Sequence, residues 1–184
     1  MSRKTPAADT AKPLTMPDDV RAIQVISVVE EIGDPGAGIH FTELSKKTEV
    51  EIDVLLPILK AAEMLGLVRN EEGNLFLTGD GLKVQGTPMD KVSILRERVL
   101  SIEPFRTAVE LASKRGSTTA EEVAETLVEN GIQWHFKPER NEASVRNLLI
   151  SWAIRAGLLS YDGKTGKFRV TSSGEDASGD VHHA

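Results

Sequence analysis

The 184-residue sequence has no cysteine. That excludes disulfide frameworks, thiolate zinc sites and thiol nucleophiles, and a reducing compartment, the cytoplasm, is the expectation. Long hydrophobic runs are missing too. Nowhere do the roughly 18 consecutive apolar residues of a membrane span occur, and the N-terminal MSRKTPAADTAKPLTMPDD lacks the apolar stretch of a secretion signal. Neither membrane insertion nor secretion is expected. There are four histidines, His40, His135, His182 and His183, and no two share a helix face beside a carboxylate, so no metal or other cofactor is expected.

Motifs for catalysis are equally sparse. Gly163-Lys164-Thr165 lacks the preceding glycine of a phosphate-binding loop, and strand-like residues flank it where that loop needs a strand before and a helix after. The acidic pairs Glu30-Glu31, Glu71-Glu72 and Glu121-Glu122 fall at a helix end, a turn tip and a helix start, where solvation or capping accounts for them. No serine sits in a nucleophile elbow. The expectation is a protein that binds rather than catalyses.

What is present is ordinary globular composition, 40% apolar and 27% charged. Charge is uneven: +2 over residues 1–17, −7 over 18–87, +2 over 88–171 and −3 over 172–184. Residues 1–17 and 172–184 are polar and without period, and read as disordered tails. Between them the pattern is mainly α with small β-hairpins.

Apolar residues from Val20 to Ile32 cover more than one helix face and stop at Gly33-Asp34-Pro35-Gly36. A short extended Ile39-His40-Phe41 and a brief helix around Leu44 follow. Leu55, Ile58, Leu59, Ala62 and Leu65 then form one helical stripe closed by Gly66, with Pro57 inside it predicting a late start or a kink. Strand-like runs on either side of Glu71-Glu72-Gly73 predict a hairpin over 67–77. After a connecting helix from about Met89 to Ser101, the order recurs. A capping box at Thr118 with Glu121, or Thr119 with Glu122, opens a helix to Gly131. Val145, Leu148, Leu149, Trp152 and Ala156 mark a longer helix closed by Gly157, and a hairpin follows over 158–170.

Leu65-Gly66-Leu67 overlies Ala156-Gly157-Leu158 at an offset of 91, and Gly73 to Thr78 overlies Gly166 to Thr171 at an offset of 93. This degenerate duplication predicts tandem winged helix-turn-helix modules, 18–87 and 88–171, the second with two extra residues in its hairpin turn.

Two surfaces stand out. In the second module Trp134, His135, Phe136, Lys137, Arg140, Asn141 and Arg146 lie at the helix that would enter a DNA groove, with Lys164 and Lys167 on the hairpin placed for phosphate. Glu139 and Glu142 among them oppose phosphate. In the first module the equivalent helix carries Glu51, Asp53 and Glu63, and its hairpin tip adds Glu71 and Glu72, a face suited to a basic protein surface.

Asp53-Val54-Leu55-Leu56-Pro57-Ile58-Leu59-Lys60-Ala61-Ala62-Glu63-Met64-Leu65-Gly66, with Leu75 to Gly81, resembles the AAA-associated C-terminal domain. Leu95 to Leu100 is similar to that family's central helix, and Ala156 to Asp162 with Thr165 to Phe168 to its terminal hairpin. The resemblance implies a non-catalytic, regulatory domain of the kind appended to ATP-binding subunits of nitrate/sulfonate/taurine-type ABC transporters. This chain carries no Walker A motif and no ABC signature, so the accessory domain is expected to stand alone. The expected partner is a protein, an ABC-type transporter ATPase; duplex DNA is the alternative, and self-association is left open.

Overall fold

The computed structural model describes residues 13–34, 36–132 and 139–172. They form two units of like order. In the first, helix α1 (Ala22–Ile32) is followed by strand β1 (Ile39–His40), helix α2 (Phe41–Thr48), helix α3 (Ile52–Met64) and the hairpin β2 (Val68–Glu71) and β3 (Asn74–Leu77). The three strands pair antiparallel in the order β1-β3-β2. A short helix α4 (Gly79–Val84), which the apolar pattern does not announce, and helix α5 (Pro88–Val99) lead onward. The second unit comprises helix α6 (Phe105–Arg115), strand β4 (Thr118–Thr119), helix α7 (Ala120–Glu129), helix α8 (Glu139–Leu148), and the hairpin β5 (Leu159–Asp162) and β6 (Lys167–Val170). Its sheet has the matching order β4-β6-β5. The chain is therefore mainly helical with small antiparallel sheets.

Local chemistry explains most boundaries. Thr87 and Asp90 form a reciprocal capping box at the start of α5, with Pro88 as its first helical residue. Thr119 and Glu122 do the same for α7; of the two boxes the sequence allows, this is the one formed, leaving Thr118 in β4. Pro57 lies within α3, which starts at Ile52. Lacking an N–H, it leaves the carbonyl of the exposed Asp53 without its helical donor, at a place where water can replace it. α8 continues into a π-helical turn, Leu149–Ala153, in which the Ile154 N–H reaches back five residues to the Leu149 carbonyl at 3.3 Å.

The two helix-to-hairpin junctions match in individual hydrogen bonds. Gly66 and Gly157 end their helices at φ +68° and +66°, the left-handed region that favours glycine. The next N–H in each case donates back to the helix, Leu67 to Ala62 and Leu158 to Ala153, both at 2.9 Å. Thr78 and Thr171 donate N–H bonds of 3.1 Å to the Leu67 and Leu158 carbonyls, and their hydroxyls donate to the Gly66 and Gly157 carbonyls. The hairpin turns differ as expected: Glu71 pairs with Asn74, whereas Asp162 pairs with Lys167 across two more residues.

The units share one continuous apolar core. Trp152 is 1% exposed, and its indole N–H donates to the Val20 carbonyl at 2.8 Å. The Ala22 N–H donates to the Ser151 hydroxyl at 3.2 Å, which ties the start of α1 to the end of the second unit's long helix. Ordered packing begins before residue 18, where the expected tail ends. Met16 is buried, its N–H donates to the Glu103 carbonyl at 3.0 Å, and the Glu103 N–H donates to the Leu14 carbonyl at 2.8 Å. Burial of Met16 and these two bonds offset the entropy of ordering that segment.

Candidate interaction surfaces

In the first unit, Glu51 occupies the N-cap position of α3 without a side-chain cap bond, and Asp53 sits in the first turn, where the partial positive charge of the helix end favours a carboxylate. Glu49 shares a shallow depression with both. Glu63 lies near the far end of α3, about 15 Å along the axis from Asp53 at the usual helical rise. Glu71 and Glu72 form the tip of the β2–β3 hairpin. Glu71 pairs with Arg69 at 3.0 Å, but both side chains are more than half exposed, so water screens the attraction. Glu72 adopts φ +51°. The expected acidic face thus resolves into three groups, at the helix start, the helix end and the hairpin tip.

Between the first two groups lies a feature that charge counting alone misses. Ile52, Val54 and Leu56 of α3 are 39%, 50% and 47% exposed, and Pro57 is exposed beside them. Val54 faces a groove of about 450 Å³ between α1 and α3, with Ile23 on the opposite side. The signal was in the sequence. The core-facing stripe of α3 needs only Leu55, Ile58, Leu59, Ala61 and Ala62, all buried, so its other apolar residues have to lie off that stripe.

The proposed nucleic-acid residues of the second unit are distributed less favourably. Lys137, with Trp134, His135 and Phe136, lies outside the described residues. Arg140 is exposed at the start of α8. Asn141, expected at a base edge, is instead 4% exposed. The reason is its position four residues before buried Val145 and seven before buried Leu148, on the inward stripe of the helix. Arg146 is exposed but ion-paired with Glu142. On the hairpin, Lys164 and Lys167 are exposed. The turn between them is held by Asp162, which accepts the Lys164 N–H at 3.0 Å and the Thr165 hydroxyl at 2.8 Å; these bonds lower the Asp162 pKa, the Thr165 bond foremost.

Among the described residues, no three His, Asp or Glu side chains are grouped so as to hold a metal ion, and no helix is long and apolar enough to cross a membrane. No curated protein and no solved structure matches the chain. The family model of the C-terminal AAA-associated domain matches residues 42–162, from α2 to the end of β5 and so across parts of both units. With that match extending over more than half of its length, the chain belongs to the C-terminal AAA-associated domain family.

Proposed function

We propose that the two units are tandem winged helices and that the chain is a non-catalytic accessory module that binds the ATP-binding subunit of an ABC-type transporter. The matching order of helix, short strand, helix, helix and hairpin in both units supports the architecture. The observation that carries the partner is the family match over residues 42–162, since the related domains are borne by such ATPases. The contact surface in this reading is the solvent-facing side of α3, edged by Ile52 and Leu56 on one flank and by Val54 at the α1–α3 groove on the other, with Glu51 and Asp53 at the helix start. Apolar area supplies the affinity, and the carboxylates orient a basic counterpart.

Duplex DNA has weaker support, because Asn141 is buried and Arg146 is already paired with Glu142. The test is co-purification with a tagged ATP-binding subunit of a nitrate/sulfonate/taurine-type transporter. The unaltered chain is compared with two double variants that circular dichroism shows to be folded, Val54→Asp with Leu56→Asp and Glu71→Lys with Glu72→Lys. Loss of recovery in the first variant is expected. The hairpin pair should weaken recovery only at low salt, since exposed charges are screened. Undiminished recovery of both variants removes α3 and the hairpin tip from the interface. Sequence-selective duplex binding near physiological salt, weakened by Arg140→Ala, would replace this reading with that of a DNA-binding regulator.

A further inference from the structure

The outer face of the second sheet is cationic and, among the described residues, uncovered. Along β6, Lys167 and Arg169 alternate with the fully buried Phe168, so both project away from the core, and Lys164 stands in the hairpin turn. Their neighbours across the ladder are short: Thr119 and Asp162 beside Lys167, and Ser160 beside Arg169. Among the described residues, none of the three cations is in an ion pair. Asp162 and Glu122 act on Arg169 and Lys167 only through space, because both carboxylates are committed elsewhere. Asp162 accepts the Lys164 N–H and the Thr165 hydroxyl, and Glu122 accepts the Thr119 N–H and the Thr118 hydroxyl.

From β6 the chain runs into a segment of one charge sign. Thr171 is fixed beside the hairpin by its bonds to the Leu158 and Gly157 carbonyls. Residues 173–184, outside the described residues, carry Glu175, Asp176 and Asp180 and no lysine or arginine. Glu175 and Asp176 follow Thr171 so closely that even at full extension they lie within about 18 Å of it, whereas Arg169 is roughly 7 Å back along the strand. A tether that short holds the carboxylates over the cations at an effective concentration of order millimolar. We propose that residues 173–184 lie across the outer face of this sheet, Glu175 and Asp176 against Arg169 and Asp180 toward Lys167 and Lys164, and so keep polyanions off the hairpin. Exposed ion pairs are individually weak, so the contact is an equilibrium that salt loosens, and a phosphate backbone has to displace it to reach the lysines. The inference depends neither on the α3 surface nor on the transporter partner.

Because the sequence has no cysteine, Ser178→Cys in the full chain gives a unique site for a nitroxide, whose relaxation effect on the β6 amides reports where the segment lies. At low salt, broadening of the amides at positions 167 and 169 should fall about twofold or more when Glu175→Gln, Asp176→Asn and Asp180→Asn accompany the label. Lys167→Gln with Arg169→Gln should reduce it as much. In anisotropy titrations with a short fluorescein-labelled duplex of arbitrary sequence, the neutralised segment should raise affinity about fivefold at low salt. Glu43→Gln, Glu49→Gln and Glu63→Gln, exposed residues of the first unit that change net charge equally, should raise it less than about twofold. Equal broadening with the native and the neutralised segment overturns the proposal. So does a gain in duplex affinity no larger than that from the first-unit substitutions. Broadening that appears only between nitroxide-labelled and isotope-labelled chains mixed together puts the segment on a second copy and overturns it too.

Discussion

The two units agree where backbone geometry is demanding and part company where it is not. At each helix-to-hairpin junction a left-handed glycine, an N–H returning to the helix and a threonine bonded to the glycine carbonyl recur almost atom for atom. The faces of the equivalent helices are not alike. α3 offers exposed Ile52, Val54 and Leu56 with carboxylates at its ends, whereas α8 and α7 line a groove rich in glutamate. The two junctions share the bonds that close them, while the helix faces beside them differ.

The largest expected effect asks whether the units are separate at all. Trp152→Ala should cost about 3–5 kcal/mol, as large-to-small changes at buried aromatic positions do. Because Trp152 also holds the Val20 carbonyl, denaturant unfolding followed by far-ultraviolet circular dichroism should remain a single transition at lower midpoint. A biphasic curve, in which the first unit survives, would break the shared-core description.

A smaller effect sharpens the likeness. Thr171→Val removes one hydroxyl bond to a glycine carbonyl and should cost about 1 kcal/mol in chemical denaturation, whereas Thr78→Val also removes the cap on the Gly81 N–H of α4 and should cost about 2 kcal/mol. A Thr78→Val cost no larger than that of Thr171→Val would mean that the two junctions are alike in geometry but not in energy.

The smallest concerns how the helices after the first strands begin. α2 relies on His40 Nδ1, which accepts the Thr42 N–H at 3.4 Å. α7 has the Glu122 carboxylate, accepting the Thr119 N–H at 2.9 Å and the Thr118 hydroxyl at 3.0 Å. These bonds, the Thr119 N–H first, hold the Glu122 pKa below its ordinary 4.5. A depressed carboxylate pKa in the folded state contributes stability above the unfolded value, and that contribution is lost as pH falls through the folded value. Stability should therefore decline on acidification below about 4.5. Glu122→Gln should flatten that part of the profile while leaving it unchanged near neutrality in slope, as read by denaturation at a series of pH values.

Much of this was legible in residue order. Gly66 and Gly157 located both helix ends, and the spacing of Gly73 and Gly166 foretold the longer second turn. The Asn141 misreading came from weighing residue type above position, since a residue four before Val145 and seven before Leu148 belongs to the buried stripe. The acidic groove escaped because it needs α7 and α8 side by side, and no spacing within one helix reports a neighbour. α4 escaped for another reason: Gly79 and Gly81 argue against a helix, and its N-cap Thr78 accepts the Gly81 N–H at 3.1 Å. There the cap and the neighbouring packing outweigh propensity.

The bonds of Leu14 and Met16 to Glu103 have a mechanical side. Tension applied to the chain ahead of residue 14 would not reach the first unit through α1, its nearest neighbour in sequence. It would load the Glu103 backbone just before α6, in a shear arrangement of two bonds side by side, while the Trp152 anchor on Val20 holds the next stretch of chain. Anything that pulls from that end grips the far half of the protein first.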